Sequence, residues 1–241
     1  MVTTEELGTI FSEIGNDLRL GDVTAEFAPY RDLKIRWTRA SGWARFSVSD
    51  YLRGAPEEVV RDLAKCLMER IVSGETADYS EKTRGWLTSE EFRDLNQDTY
   101  IERSRSIGEI DAKDSEVLTE AYRKLVSKGL VPEVEGLRLF WSRNGNVSKS
   151  GQSSCLMRVV IMNRRFLDDK VPEEVLSYCL LYQLANITVG FGKNGPERNR
   201  AVNEVSDGYA GSETAKQWLD QVPNILEKNH SFEQKVFSKS N

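Results

Sequence analysis

An α+β protein with short mixed or antiparallel sheets flanked by helices, arranged as two related halves, is the fold class this 241-residue chain predicts. Three observations carry that expectation. Segments with apolar residues at helical spacing alternate with short stretches in which apolar and polar residues alternate at period two. Two helices open in the same way, at Pro56-Glu57-Glu58-Val59 and Pro172-Glu173-Glu174-Val175, each after strand-like sequence. A content of 39% hydrophobic and 29% charged residues supplies both a sizeable core and a solvated surface.

From the start, Thr4 to Leu20 is helical, with Leu7, Ile10, Phe11, Ile14 and Leu18 on one face and Gly21 just past the end. Val23 to Phe27, Leu33 to Thr38 and Trp43 to Val48 then alternate as strands, separated by Pro29 and by Ser41-Gly42, which suggests an antiparallel meander. A helix follows from Pro56, with acidic residues in its first turn where the helix dipole favours them, and runs to about Val72 before Gly74. These elements form an N-terminal half over residues 1–74. Residues 75–110 are polar with scattered aromatics (Tyr79, Trp86, Phe92, Tyr100) and read as a connector with short helices, one starting at Thr88-Ser89-Glu90-Glu91.

The C-terminal half spans residues 111–230, with a tail over 231–241. Asp114 to Lys128 is an amphipathic helix stopped by Gly129, and Glu135 to Trp141 is a strand. Asn144 to Gln152 reads as a loop joining it to the buried strand Val159 to Asn163. The helix from Pro172 to Ile187 carries an apolar stripe of Val175, Leu176, Cys179, Leu180, Leu184 and Ile187, which by itself describes a core helix.

The order of a buried strand, a proline-acid-acid-hydrophobic helix start, and the helix through Tyr182-Gln183-Leu184-Ala185-Asn186 resembles the small zincin metallopeptidases of the SprT-like kind, over roughly residues 135–225. In that family, two histidines at i and i+4 on one helix face grip a zinc ion, and the intervening glutamate acts as general base on the metal-bound water. Here the corresponding positions read Tyr182, Gln183 and Asn186, and the resemblance puts Gly195 where a third ligand would stand. Tyr and Asn are poor zinc ligands, neutral Gln is no base, and Gly has no side chain. The chain's one histidine is His230. The resemblance therefore implies a degenerate site without metal or cofactor, and a pseudopeptidase in place of an enzyme.

The two Pro-Glu-Glu helices lie at an offset of 116 (172 − 56), and Trp37-Thr38-Arg39 matches Trp141-Ser142-Arg143 at an offset of 104 (141 − 37). Each is accompanied by a Leu-bearing turn (Leu52, Leu167). This suggests an internal duplication in which Cys66, Leu67 and Arg70 take the places of Tyr182, Gln183 and Asn186. The alternative is coincidence, since Pro-Glu-Glu is a common helix start.

A net charge of −5 argues against a protein devoted to the phosphate backbone. A local basic face is still available in Lys34, Arg36, Arg39 and Arg45, interleaved with Trp37, Trp43 and Phe46; the plain reading of the same residues is a solvated sheet face. Cys66, Cys155 and Cys179 are odd in number and widely spaced, as expected of free structural thiols. No apolar run reaches membrane-spanning length, and the N-terminus lacks the order of a signal peptide, so the expectation is a cytoplasmic protein with no membrane partner. Glycine-rich phosphate loops and a Cys–His pair find no support, and Glu204 alone rebuilds no metal site.

The functional expectation is a non-catalytic module that binds another protein or an extended peptide along a sheet edge, in a cleft lined by Trp141, Val160, Tyr182, Gln183 and Asn186. The alternatives are a hydrolase with a rebuilt or metal-free site, and a nucleic-acid-associated protein, which the overall charge disfavours.

Overall fold

A computed structural model describes residues 1–74, 79–109, 111–144, 150–192 and 195–221. The chain divides into two compact units, Met1–Ser104 and Arg105–Asn241. Both are α+β, each built on a mixed three-stranded sheet with helices against it.

In the first unit, α1 (Thr4–Asp17) begins in a capping box: the Thr3 hydroxyl accepts from the Glu6 amide, and the Glu6 carboxylate accepts from the Thr3 amide at 2.7 Å. Leu7, Ile10, Phe11 and Ile14 are buried as the spacing predicts, but the helix stops three residues short of Leu20. There the backbone turns left-handed at Arg19 (φ 57°) and Gly21 (φ 84°). Gly21 could carry no side chain, because a Cβ would run into the backbone of Gly42.

The three strands are β1 (Asp22–Ala28), β2 (Ile35–Ala40) and β3 (Trp43–Ser49). They do not form a meander. β3 lies in the centre, parallel to β1 and antiparallel to β2. Burial explains the difference. Ala44, Phe46 and Val48 of β3 are each at most 2% exposed, whereas every residue of β2 after Ile35 is exposed. A meander would place β2 in the centre and bury its Arg36 and Arg39, so the charged strand takes the edge. A 3-10 turn (Asp50–Leu52) leads to α2 (Glu57–Ser73), which ends on the left-handed Gly74.

The segment expected to connect two halves belongs largely to the first unit. α3 (Glu81–Leu87) and α4 (Glu90–Arg103) start on Ser80 and Ser89, whose hydroxyls accept from Thr83 and Phe92 amides. Asp62 of α2 accepts from Ser80 and Thr83 hydroxyls, Asn96 donates to the Tyr51 carbonyl at 3.1 Å, and Arg103 clasps Asp50 through two 2.7 Å bonds. Polar residues that read as linker are thus the contacts that fasten these helices.

The second unit repeats the order helix, three strands, 3-10 turn, helix. α5 (Ala112–Ser127) precedes β4 (Arg138–Trp141), β5 (Gly151–Ser154) and β6 (Val159–Met162). Again the third strand is central, parallel to the first and antiparallel to the second. A 3-10 turn (Arg164–Leu167) leads to α6 (Glu173–Thr188), followed by α7 (Gly195–Asp207) and a helical stretch over 212–221. β5 begins within what reads as a loop and runs two residues past it, because Gly-Gln-Ser-Ser has no apolar alternation; residues 145–149 of that loop lie outside the described residues. The Trp-x-Arg match is not structural, since Trp37 lies on the second strand of its unit and Trp141 on the first strand of its own. The shared topology and the Pro-Glu-Glu helix starts are what the units have in common.

The core of the second unit joins Leu118 and Leu125 of α5, Trp141, Val160 and Met162 of the sheet, and Val175, Cys179, Leu180, Leu181 and Leu184 of α6. α6 is buried well beyond its predicted stripe, with Leu181, Gln183 and Ala185 also enclosed. A helix apolar on most sides sits at the centre of its domain.

Candidate functional site

The residues singled out on α6 lie where that helix crosses the sheet beside β5. Gln183 is 5% exposed, and its Oε1 accepts a hydrogen bond from the Ser153 hydroxyl at 3.0 Å. Ser153 shares a sheet face with Gly151, because side chains alternate along a strand. Gly151 permits the close approach: a Cβ there would stand 2.9 Å from the Ile161 carbonyl oxygen and 3.4 Å from Cγ of Gln183. Asn186 turns back along its own helix and donates to the Tyr182 carbonyl at 2.9 Å. Tyr182 and Asn186 are half-buried.

Gly195 does not join this group as a site residue. It is the exposed first residue of α7, with open space where a side chain would be. Its neighbour Arg198 serves instead, donating from Nη2 to the Asn186 carbonyl at 2.9 Å and from Nε to the Gly190 carbonyl at 3.2 Å. A cation at a helix C-terminus satisfies orphan carbonyls and complements the dipole. The segment expected to offer a metal ligand therefore caps α6 with a guanidinium. Glu204 is exposed on α7, and His230 lies outside the described residues. Among the described residues, no group of three His, Cys, Asp or Glu could hold a metal ion.

The expected cleft needs correction. Trp141 is 1% and Val160 0% exposed; both are core residues packed under α6, and the Trp141 indole N–H donates to the Asp114 carbonyl at 2.8 Å. Apolar side chains on the helix-facing side of a short sheet are consumed by packing, so they line no cleft.

What the second sheet offers is a strand edge. The outer side of β4 is partly covered: Gly108 donates to the Trp141 carbonyl at 3.0 Å, Arg143 donates to the Ser106 carbonyl at 2.7 Å, and Ile107 bridges Ser142. β5 is the other outer strand. Asn163 donates to the Ser150 carbonyl, so by the alternation of an antiparallel ladder Gln152 and Ser154 bond to β6, while Gly151 and Ser153 turn their backbone groups outward. A depression of about 230 Å³ flanks this strand, lined by Ser106, Ser142, Asn144, Gln152 and Asn163 among others. Sequence reasoning missed Ser153 and Arg198; a short polar strand has no periodic signal, and a surface arginine carries no mark of the carbonyls it caps.

Two thiols near α6 are held protonated. Burial pushes Cys179 up to about 12 against a hydrogen bond from Ser150. Burial likewise raises Cys155, with the charge of Arg198 opposing. Cys155 and Cys179 form no disulfide.

The basic face divides in two. Arg36 and Arg45 lie on the open side of the first sheet, Lys34 stacks on the same Tyr30 ring as Arg36, and Arg39 points to the helix-covered side, where it donates to the Ile71 carbonyl at 2.9 Å.

No helix among the described residues is long and apolar enough to cross a membrane. Comparison with protein-family models, with curated proteins and with solved structures returns no match for this chain.

Proposed function

We propose that this chain is a non-catalytic, zincin-like module, arisen by duplication of one α+β unit, that binds an extended segment of another protein at the β5 edge of its second sheet. The observation that carries the reading is the use of the three helix positions. Gln183 accepts from Ser153, Asn186 is bonded to the Tyr182 carbonyl, and Arg198 caps the helix they share. The Gln183–Ser153 bond ties the helix to the strand, and the other two are spent on the backbone of α6 and its end, an arrangement that accords with a strand edge kept without hydrolytic groups. Strand addition needs only outward backbone donors and acceptors, and Gly151 and Ser153 supply them. An odd number of widely spaced cysteines, with Cys155 and Cys179 outside any disulfide, accords with a reducing compartment such as the cytoplasm.

The test is selection of a displayed random-peptide library on the full chain, followed by titration of the enriched peptides against Ser153→Pro and against Ser153→Ala, which loses the same hydroxyl bond to Gln183 but keeps the outward N–H and is expected to bind like the parent. Proline removes the outward N–H at 153 while leaving the β6 ladder bonds at 152 and 154. The expected result is enrichment of extended peptides that lose at least about tenfold in affinity for the proline variant, the scale of one lost hydrogen bond of about 1.4 kcal/mol. Failure to enrich any peptide, or equal affinity for the proline variant, refutes the reading. A hydrolase with a rebuilt metal site would instead give near-stoichiometric zinc in the purified protein, lost on Glu204→Ala or His230→Ala.

A further inference from the structure

We infer that the open face of the first unit's sheet binds single-stranded nucleic acid. Side chains two apart on a strand share a face about 7 Å from one another, as Lys34 and Arg36 do. Arg36 pairs with Ser47, so Arg45, two residues along β3, is its diagonal neighbour at about 7–8 Å. The three cations thus form a row across two strands. None makes an ion pair among the described residues; each is seated over an aromatic ring instead. Lys34 and Arg36 lie 4.6 and 5.5 Å from the centre of the Tyr30 ring, and Arg45 lies 5.3 Å from that of Trp43. Stacking on a ring holds the cation in place while leaving its N–H groups free for phosphate oxygens. Tyr30 is itself anchored, donating to the Ser47 hydroxyl at 2.8 Å.

Between these residues lies a depression of about 610 Å³ whose lining includes Thr24, Tyr30, Arg36, Arg45 and Ser47, with Glu26 as its one carboxylate. Over the whole face, Lys34, Arg36 and Arg45 stand against Glu26 and, by the register of β1, Asp22, a local excess of positive charge in a chain of net charge −5. Trp43 is 37% exposed at the rim. A flat sheet face with rings and cations offers stacking to unpaired bases and charge to a backbone. A duplex would present phosphates but no base faces, and an acidic peptide would make no use of the rings. This surface is separate from the β5 edge, so either inference can fail alone.

The test is fluorescence anisotropy of a short labelled oligothymidylate with the full chain over a salt series, beside the same length of duplex and with polyglutamate as competitor. Three phosphate contacts predict a slope of log affinity against log salt of about −2 for a single strand. The variant K34A/R36A/R45A, checked for folding by circular dichroism, is expected to bind at least about tenfold more weakly with a slope near zero. Trp43→Ala is expected to weaken binding about tenfold with the slope unchanged. No binding at low salt, equal or tighter binding of the duplex, an unaffected triple variant, or displacement by polyglutamate at equal charge overturns the inference, and the last assigns the face to acidic peptides.

Discussion

Arg103→Met tests whether residues 79–104 are part of the first unit's fold. Arg103 donates to both oxygens of Asp50 at 2.7 Å, donates to the Tyr30 carbonyl at 3.0 Å, and lies 5.2 Å from the centre of the Tyr51 ring. The pair is neither open to water nor fully enclosed, with side chains 27% and 19% exposed. Exposed pairs contribute about 0.2–1 kcal/mol, and breaking a buried pair costs about 3–5 kcal/mol. Methionine keeps most of the stem's packing but leaves the Asp50 carboxylate and the Tyr30 carbonyl without their donor. The expected loss is about 2–3 kcal/mol, or roughly a hundredfold in the unfolding constant. Urea unfolding followed by circular dichroism measures it, and the Asp50→Asn/Arg103→Met cycle isolates the pair, with an expected coupling of about 1.5 kcal/mol. Limited proteolysis of the variant should cut first within residues 79–103. A loss below about 0.5 kcal/mol, strictly additive single changes, or an unchanged cleavage pattern would refute the argument that these helices are fastened to the sheet rather than strung between two halves.

Further outcomes follow from other contacts. Gln183→Glu places a carboxylate where burial disfavours charge, so its folded pKa rises and the variant is expected to lose about 2–4 kcal/mol at neutral pH and recover part of it as pH falls, read by thermal melts between neutral pH and the carboxylate range. Burial pushes the Asp62 carboxyl up, but hydrogen bonds from Ser80 and Thr83 and the nearby Lys82 and Lys65 hold it below its ordinary value overall. A lowered carboxyl stabilises the fold above its unfolded pKa and loses that contribution as pH falls through the folded one. Acid melts of Asp62→Asn should accordingly lack that part of the decline seen with the parent. Cys179, with a thiol near 12, should resist a thiol reagent in the native protein at mildly alkaline pH and react only on unfolding, whereas Cys66 and Cys155 are only partly buried and react earlier, Cys155 slowed by the burial that raises its thiol. Rapid native labelling of Cys179 would show that α6 opens.

Helix positions were legible because their signals are local. Gly74 and Gly129 end α2 and the α5 region as expected, both left-handed at φ 74° and 69°. Strand existence was also legible in the first unit, where Ala44, Phe46 and Val48 alternate with polar residues. Strand order was not, because which neighbour a strand chooses depends on burial summed over the whole sheet, and only the two-sided polarity of β2 hinted at an edge. In the second unit the fully apolar β6 was readable and the polar β5 was not. At Tyr182, Gln183, Asn186 and Gly195 the sequence showed residue types but not what they touch. The engagement of Gln183 was hidden, since a hydrogen bond from Ser153, thirty positions away, leaves no periodic trace. Trp141 and Val160 show the opposite error: apolar residues beside a site read equally well as lining or as core, and packing made them core.

The enclosed amide of Gln183 also decides what this fold depends on. A carboxylate held at the heart of a helix–sheet junction asks for a compensating cation, and a domain so built is only as durable as its supply of that ion. An amide asks for nothing that a neighbouring hydroxyl cannot give. With Ser153 as that neighbour, the junction between α6 and its sheet balances its buried amide with a hydroxyl from the adjacent strand. Truncating Ser153 to alanine would strand the Gln183 amide oxygen inside that enclosure.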